Sequence, residues 1–368
     1  MNTEENHTDK GDVLRFVPLG GLEEVGRNCM FFEYGDEIVV VDAGLQFPQE
    51  STPGIDFIIP NVKYLEANKH KIKALIITHG HYDHIGAIPY IIQKIGNPVI
   101  YAAPLSAEII KKRQDDFPNV PKLNIITTKH GDKAKLGKHF DVEFFDLDHT
   151  IPDTLGTLLK TPVGNMVYFC DFKFDYDNDG KAIGLDDYKR IGDMGIHTLF
   201  MDSTNAEKEG YSVSERLVEK TLEDLILKAK GRVIVSSFAS LITRLGEIVR
   251  ISTKLGRKAF IAGYSMKTNM QIAQNLGYLK FEKNAMLPIE DMHKYKDDKI
   301  VVLCTGAQGQ TNAAMMKIAN GEHRFIKTKV GDTILLSSSV IAGNERAVQI
   351  LKDNLTRQGA KVYQSTHV

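Results

Sequence analysis

One short stretch constrains this chain more than any other part of its sequence, and it reads Thr78-His79-Gly80-His81-Tyr82-Asp83-His84. It follows the apolar run Ala74–Ile77, which predicts a buried strand, and precedes a helical pattern from Ile85. Three imidazoles and a carboxylate therefore lie together just after one strand end. Such a group suits zinc, or manganese where oxygen ligands dominate. Since burying these side chains without a metal would cost desolvation for little return, the run predicts a metal centre rather than a solvated loop.

The composition narrows the class of protein around this centre. With 368 residues, 42% hydrophobic and 25% charged, the chain can form two globular domains and is neither disordered nor fibrous. Its apolar runs are too short to span a membrane, and the polar segment Met1–Asp12 argues against a secretory signal. The three cysteines form no C-x-x-C motif, so we expect a cytoplasmic protein. A net charge of −1 neither recruits nor excludes nucleic acid.

The pattern of predicted strands and helices changes near residue 206. From Val13 onward, short β-rich runs with few helices predict two packed sheets with helices outside. After 207, alternating β and α patterns predict a parallel sheet covered on both faces. The first of those helices is expected over Ser212–Lys230, with Ser212 and Glu215 as a capping box. The predicted organisation is a disordered tail at 1–12, domains at 13–206 and 207–359, and a terminal segment at 360–368.

Two further residues are candidate ligands because each follows a predicted strand. His149 follows the strand Val142–Asp146, and Asp171 ends the strand Asn165–Cys170. Taken alone, the first would be an ordinary loop histidine and the second a helix cap or turn residue. The histidine run makes both of them candidates for one shared metal centre.

These residues together resemble the metallo-β-lactamase superfamily, through H-x-H-x-D-H at 79–84, the later His149 and Asp171, and Asp42 after an early strand. The resemblance implies an αββα sandwich and two divalent ions, zinc or manganese. One ion would be held by His79, His81 and His149. The other would be held by Asp83 and His84, with Asp171 bridging the two. Asp42 would orient the ligand loop from behind.

Longer stretches resemble one family within that superfamily, ribonuclease J. The segment from Met201 to Glu215 is similar to the entry of a β-CASP domain, the α/β insertion of members that process nucleic acids. The other matching stretches are 18–28, 41–48, 171–175, 337–339 and 343–345. This resemblance implies an α/β protein with a metallo-β-lactamase αββα sandwich plus a β-CASP parallel α/β domain. It also implies a 5′-3′ exoribonuclease and endoribonuclease that acts in RNA decay and maturation, including rRNA processing.

The family resemblance also implies roles for particular side chains. Two ions can clamp the attacking and leaving oxygens of an in-line phosphoryl displacement, with Asp83 or Asp171 orienting the attacking water. His367 would assist departure of the 3′ oxygen and bind phosphate. The remaining phosphate-binding candidates are Ser337, Ser338, Ser339 and Asn344, although a serine run is equally typical of a strand-to-turn segment. The expected partner is single-stranded RNA with a 5′ monophosphate, and the expected full-length assembly is a homo-oligomer with no membrane contact.

The chain departs from the family pattern at 240–244, 263–266 and 306–310, where His, Arg, Ser and Glu side chains are replaced. The lost His and Arg side chains predict weaker contacts with the RNA backbone or its 5′ end. The family also continues beyond Val368, so we expect either a fragment or a reduced relative, with 360–368 beginning a strand back to the first domain.

Two other functions stay open. A small-molecule metallo-hydrolase would use the same ligands on a thioester or lactone, but it would not need the large α/β insertion. A non-catalytic RNA-binding relative would have an incomplete second metal site.

Overall fold

The computed structural model describes residues 13–364 except 49–51, 53, 178–179, 283 and 342. The described residues form two compact units, one up to residue 149 and over 153–210, the other over 150–152 and from 211 onward. The boundary after 210 lies close to the one predicted at 206. No described helix is long and apolar enough to cross a membrane.

The first unit contains two sheets. The first sheet has, in spatial order, β1 (Leu14–Gly20), β2 (Cys29–Tyr34), β3 (Glu37–Val41), β4 (Ile72–Ile76), β5 (Ile100–Ala102) and β6 (Ile125–Thr127). The second sheet has, in spatial order, β11 (Ile196–Phe200), β10 (Gly164–Tyr168), β9 (Leu155–Thr161), β8 (Phe140–Asp146) and β7 (Lys133–Leu136). Strands β3 to β6 run parallel, whereas β7 to β10 form an antiparallel meander.

A hydrophobic core lies between the two sheets, and alternate residues of β2, β3 and β4 point into it. Val39 and Ile76 enter it from the first sheet, and Val142 and Phe144 from the second. Over the described residues of this unit, the α-helices are α1 (Lys63–Ala67), α2 (Tyr82–Ile85), α3 (Ile88–Ile91), α4 (Pro104–Gln114) and α5 (Asp186–Gly192).

Helices cover the outer face of each sheet of this unit. On the first sheet, Tyr64 of α1 stacks on Phe31, with ring centroids 5.4 Å apart. On the second, Tyr188 of α5 lies edge-on to Phe145 at 6.4 Å. With both faces covered, β2 and β3 are buried along their whole length. The expected αββα sandwich is confirmed.

The second unit is one parallel sheet with helices on both faces. Its strands are, in spatial order, β14 (Met286–Pro288), β13 (Lys258–Ala262), β15 (Ile300–Cys304), β12 (Val233–Ser236), β16 (Thr333–Leu336) and β17 (Lys361–Gln364). Its helices are α6 (Glu215–Lys228), α7 (Ile242–Lys254), α8 (Tyr264–Asn275), α9 (Ala314–Ala319) and α10 (Glu345–Arg357). Helices α9 and α10 share one core with Ile234 and Val302, while α7 packs on β13 and α6. The parallel α/β architecture predicted for this half is confirmed.

Two local expectations are corrected by the structure. Helix α6 begins at Glu215 with Ser214 as its N-cap, whose Oγ accepts the Leu217 N–H at 3.3 Å, so the predicted cap at Ser212 is wrong. The sequence predicts that the terminal segment starts a return to the first domain. Its residues 361–364 instead pair in parallel with β16 as an edge strand of the second unit.

Candidate metal centre

The candidate ligands come together because four strands of the first unit end at one edge. Strands β3 and β4 are parallel neighbours, so Asp42 and Thr78 leave the first sheet side by side. Strands β8 and β10 flank the antiparallel β9 and therefore share a direction, which places His149 and Asp171 together. The two sheets meet here, since the Leu155 N–H donates to the Thr78 carbonyl at 2.9 Å.

Three histidines and one oxygen of a carboxylate form the first group of possible ligands. The Nδ1 atom of His81 lies 2.9 Å from Nε2 of His79 and 3.3 Å from Nε2 of His149. The Oδ2 atom of Asp171 lies 4.0 Å from the same atom of His79 and 3.7 Å from that of His149. All four ligand atoms lie within 4.8 Å of one another.

Asp171 also belongs to a second group, with Asp83 and His84. The Nε2 atom of His84 lies 3.4 Å from Oδ1 of Asp171 and 3.6 Å from Oδ2 of Asp83. The two carboxylate oxygens of Asp171 therefore face different groups. This arrangement is compatible with metal binding on both sides of one carboxylate.

Asp42 lies fully buried behind the ligands and anchors them. Its carboxylate accepts the Thr78 N–H at 2.9 Å and the Thr78 hydroxyl at 2.9 and 3.1 Å, and it pairs with Nδ1 of His84 at 2.8 Å. The Thr78 hydroxyl also lies 3.1 Å from Nδ1 of His79. Because these Nδ1 atoms are held from behind, the Nε2 atoms of both imidazoles point toward the candidate ligand groups.

The backbone of Asp42 is itself unusual, with φ at 60° in the left-handed region. The loop that follows it packs directly on the ligand helix, where Ala43 N–H donates to the His84 carbonyl at 2.8 Å. A Cβ on Gly44 would lie 1.6 Å from the Asp83 carbonyl oxygen, so only glycine fits. This close approach fixes the position of Asp83 and His84.

Burial keeps three of the imidazoles neutral. Desolvation lowers the pKa of His149 to about 3, with a further contribution from His81. The pKa of His79 is lowered well below its usual value, first by burial and then by His84 and His81. Burial also lowers the pKa of His81, against the opposing charge of Asp83. Neutral imidazole is the form that binds a metal.

The pKa values of His84 and Asp171 are shifted in the directions that favour their charged forms. Burial disfavours a charged His84, but Asp171, Asp42 and Asp83 outweigh it and raise the pKa of His84 well above its usual value. Burial would likewise raise the pKa of Asp171, but His84, followed by His149 and His81, lowers it. An ionised carboxylate thus stands between the two groups of ligands.

The donor set fits a divalent metal. Ring nitrogens of three neutral imidazoles converge on one another and on an ionised carboxylate. These groups carry too few protons to satisfy all of their lone pairs by hydrogen bonds among themselves. A cation between them would satisfy all these lone pairs at once, and His with Asp is a usual ligand set for zinc.

The phosphate-binding candidates lie in the second unit, and three of them contact Gln308 there. Gln308 donates to Ser338 Oγ at 3.2 Å and to the Ser339 carbonyl at 2.8 Å, and its Oε1 accepts Asn344 Nδ2 at 3.3 Å. Ser337 and Ser338 are buried, whereas Ser339 is exposed. These contacts describe a braced loop, and its binding of phosphate stays a prediction. His367 lies outside the described residues.

Sequence reasoning assigned no role to two residues at the centre. In the sequence Thr78 is only the first residue of the histidine run, whereas in the structure its hydroxyl joins Asp42 to His79. Asn28 directly precedes β2, and its Nδ2 lies 3.1 Å from Nε2 of His84. Its N–H also donates to the Asp83 carbonyl at 2.9 Å. The Thr78 signal was its place at the strand end, but nothing local in the sequence pointed to Asn28.

An αββα sandwich with histidines and aspartates at its joined strand ends defines a metallo-β-lactamase-type protein. The metallo-β-lactamase superfamily matches residues 22–179, and the ribonuclease J β-CASP domain matches residues 230–355. The chain is similar to ribonuclease J proteins along both of these segments.

Two relatives illustrate this similarity. The chain is 38% identical to Ribonuclease J of Mycoplasma pneumoniae over 352 residues, 96% of this chain and 62% of that protein. It is 39% identical to Ribonuclease J of Thermus thermophilus over 357 residues, 95% of this chain and 62% of that protein. The chain thus spans about 62% of the length of these curated relatives. A crystal structure of a protein of unknown function from Enterococcus faecalis V583 has the same fold, with a TM-score of 0.65 at 16% identity, covering 95% of this chain and 87% of that chain.

Proposed function

We propose that this chain carries the catalytic centre of a metal-dependent ribonuclease that hydrolyses RNA phosphodiester bonds, as a 5′-3′ exonuclease and as an endonuclease. One observation carries the proposal. The two oxygens of Asp171 face two separate ligand groups, His79 with His149 on one side and His84 on the other. This arrangement supports two divalent ions sharing one carboxylate.

We propose zinc as the metal, with manganese as the alternative, because imidazole nitrogens outnumber carboxylate oxygens in the first group. Two such ions, when bound, polarise the phosphoryl oxygens and activate water for in-line displacement.

The side chains of the chain itself have separate tasks. His79, His81 and His149 would hold one ion, and Asp83 with His84 the other. Asp83 and Asp171 would also orient the attacking water by accepting hydrogen bonds from it. Asp42 would keep His84 in place. His367 would assist the leaving 3′ oxygen.

The proposal extends to the residues that would bind the 5′ end of the RNA. A 5′ monophosphate would be held by exposed Ser339, by Asn344 and by His367, with buried Ser337 and Ser338 shaping the loop. The relatives' name supports RNA as the substrate. A cytoplasmic location and a homo-oligomeric full-length protein stay predictions.

The test is a cleavage assay with the purified chain, added zinc or manganese, and single-stranded RNA labelled at a 5′ monophosphate. We expect labelled mononucleotide from exonucleolytic attack and shorter labelled fragments from endonucleolytic cuts. Asp83→Asn should abolish most cleavage, because it removes a ligand and a water-orienting oxygen. The matched control is Asp36→Asn, since Asp36 is an exposed aspartate away from the centre.

Equal cleavage by Asp83→Asn and Asp36→Asn would contradict the proposal. So would turnover of a thioester or lactone by metal-loaded protein that leaves RNA intact, since that result would identify a small-molecule hydrolase.

A further inference from the structure

The loop between β1 and β2 holds two residues in a strained backbone conformation. Glu23 and Arg27 have φ at 56° and 58°, in the left-handed region. Such conformations are unfavourable for a residue with a Cβ, and they persist only where the surroundings enforce them. The loop is therefore held in one shape by specific contacts. Its last residue is Asn28, which lies against the metal centre.

An ion pair inside the loop closes it. The carboxylate of Glu24 accepts the Gly21 N–H at 3.0 Å and two N–H groups of Arg27, from Nε at 2.9 Å and from Nη2 at 2.7 Å. Partial burial opposes ionisation of Glu24, but Arg27 and the Gly21 N–H outweigh it and lower the pKa of this carboxyl. A two-point pair of this kind fixes the relative orientation of its partners. The pair therefore fixes the turn that directly precedes Asn28.

The main chain of Asn28 is hydrogen-bonded on both sides. Its N–H donates to the Asp83 carbonyl at 2.9 Å, and its carbonyl accepts the Gly44 N–H at 2.7 Å. The neighbouring Arg27 N–H donates to the Leu45 carbonyl at 3.1 Å. These bonds join the loop to the segment after β3 and to α2, the helix that carries two ligands of the second group. The position of Asn28 relative to those ligands is thereby fixed.

The carboxamide of Asn28 is aimed at a ligand atom. Its Nδ2 lies 3.1 Å from Nε2 of His84, the nitrogen that also faces Oδ1 of Asp171 at 3.4 Å and Oδ2 of Asp83 at 3.6 Å. An amide nitrogen donates hydrogen bonds and offers no lone pair to a metal, so this atom can orient the ligands without being one. A Cβ on Gly21, whose φ is 86°, would lie 2.4 Å from Oδ1 of Asn28. Glycine there leaves the space that the carboxamide occupies.

We propose that Asn28 is a positioning residue of the second ligand group, and that it fixes the direction of Nε2 of His84 for a divalent ion. The ion pair of Glu24 with Arg27 supports it by holding the preceding turn. Asp42 holds the other ring nitrogen of His84 at 2.8 Å, so the imidazole is fixed from both ends. This inference rests on the proposed function, because that function requires a second ion.

The experiment titrates cobalt(II) into the purified, metal-free full chain and follows the visible absorption, which reports the coordination geometry of each bound equivalent. Asn28→Ala and Asn28→Leu both remove the amide and keep the main-chain hydrogen bonds, and leucine is close to asparagine in size. Each variant should bind the second equivalent about tenfold or more weakly than the parent chain, with a changed spectrum. Both should bind the first equivalent unchanged. Asp83→Ala, which removes a ligand of the second group alone, identifies that equivalent.

A double-mutant cycle tests whether the ion pair acts through Asn28. Glu24→Gln should weaken the second equivalent in the same direction, because the turn before Asn28 is no longer held. In the Asn28→Ala background, Glu24→Gln should cause no further weakening. Independent effects would instead multiply, and that result would contradict the supporting role of the pair.

Two matched variants control for general effects on the first unit. Asn119→Ala removes an exposed asparagine side chain, and Glu108→Gln breaks an exposed ion pair, with Lys111 at 2.7 Å, that has the same spacing along the chain. Both should bind both equivalents as the parent chain does. Melting temperatures of the metal-free proteins check that each variant folds, and Glu24→Gln with Asn28→Leu provides the test if Asn28→Ala does not.

The inference is overturned if the parent chain binds no second equivalent, or if Asn28→Ala and Asn28→Leu bind it with the affinity and spectrum of the controls. It is also overturned if both equivalents weaken equally, since a general disturbance of the first unit would then account for the loss. Cleavage of RNA is measured separately. A chain that binds two equivalents without cleaving RNA would contradict only the ribonuclease proposal.

Discussion

The Oδ2 atom of Asp42 lies 2.8 Å from Nδ1 of His84, although the two residues are 42 positions apart and both are almost completely buried. This pair joins the end of β3 to the helix that carries the second ligand group. Burial raises the pKa of Asp42, and the neighbouring His84 opposes that rise, so the contact offsets part of the cost of burying the carboxylate.

We expect Asp42→Asn to weaken metal binding about tenfold to a hundredfold, since it removes the charge that orients His84. The variant keeps the size of the side chain, so a cavity does not account for the loss. The measurement is metal content after dialysis against a graded series of chelator concentrations. Asp36→Asn, at an exposed aspartate, is the control. Equal metal retention by both variants would show that Asp42 does not position the centre.

We expect single substitutions to remove metal from one ligand group while the other group keeps its own. Asp83→Ala touches the second group alone, so the protein should retain about one equivalent of metal. His149→Ala touches the first group, so it should lose that equivalent. Elemental analysis measures the metal content of each folded variant, and His70→Ala, at an exposed histidine, is the control. Native protein that neither contains nor takes up metal would remove the basis for a metal centre.

Gly44→Ala should destabilise the first unit by about 3 kcal/mol or more, because its Cβ would overlap the Asp83 carbonyl oxygen. Gly192→Ala is the matched control, since a Cβ there meets nothing within 4 Å. That change should alter stability by about 1 kcal/mol or less. Urea unfolding monitored by circular dichroism compares them. Similar midpoints for the two variants would mean that the loop can move away from the ligand helix.

The cysteines are expected to be unreactive in the folded protein. Cys29, Cys170 and Cys304 are buried, and desolvation raises the pKa of Cys304 to about 12. Because the thiolate is the reacting form, a disulfide reagent at mildly alkaline pH should label no thiol rapidly in native protein. In denaturant, all three should react. Rapid labelling of one thiol in the native state would show that its part of the core opens.

The sequence by itself determined the type of metal centre and the class of each half. The ligands at 79–84 are close in sequence and follow one strand, so their convergence is a local property of the chain. The change from strand-rich to alternating β and α patterns is equally local, because side-chain periodicity reflects burial on each element. The family resemblance rested on such local stretches as well.

Only the tertiary structure decided which distant residues meet. Strand register places Asp42 behind His84 and brings Asn28 to the same imidazole, and neither contact has a local signal. Packing of Gln308 engages the serine loop, and pairing with β16 places residues 361–364 in the second sheet. These contacts depend on the order of strands and on the direction of side chains across a packed core. Local sequence patterns set the type of an element but not its neighbours, and so they could not predict them.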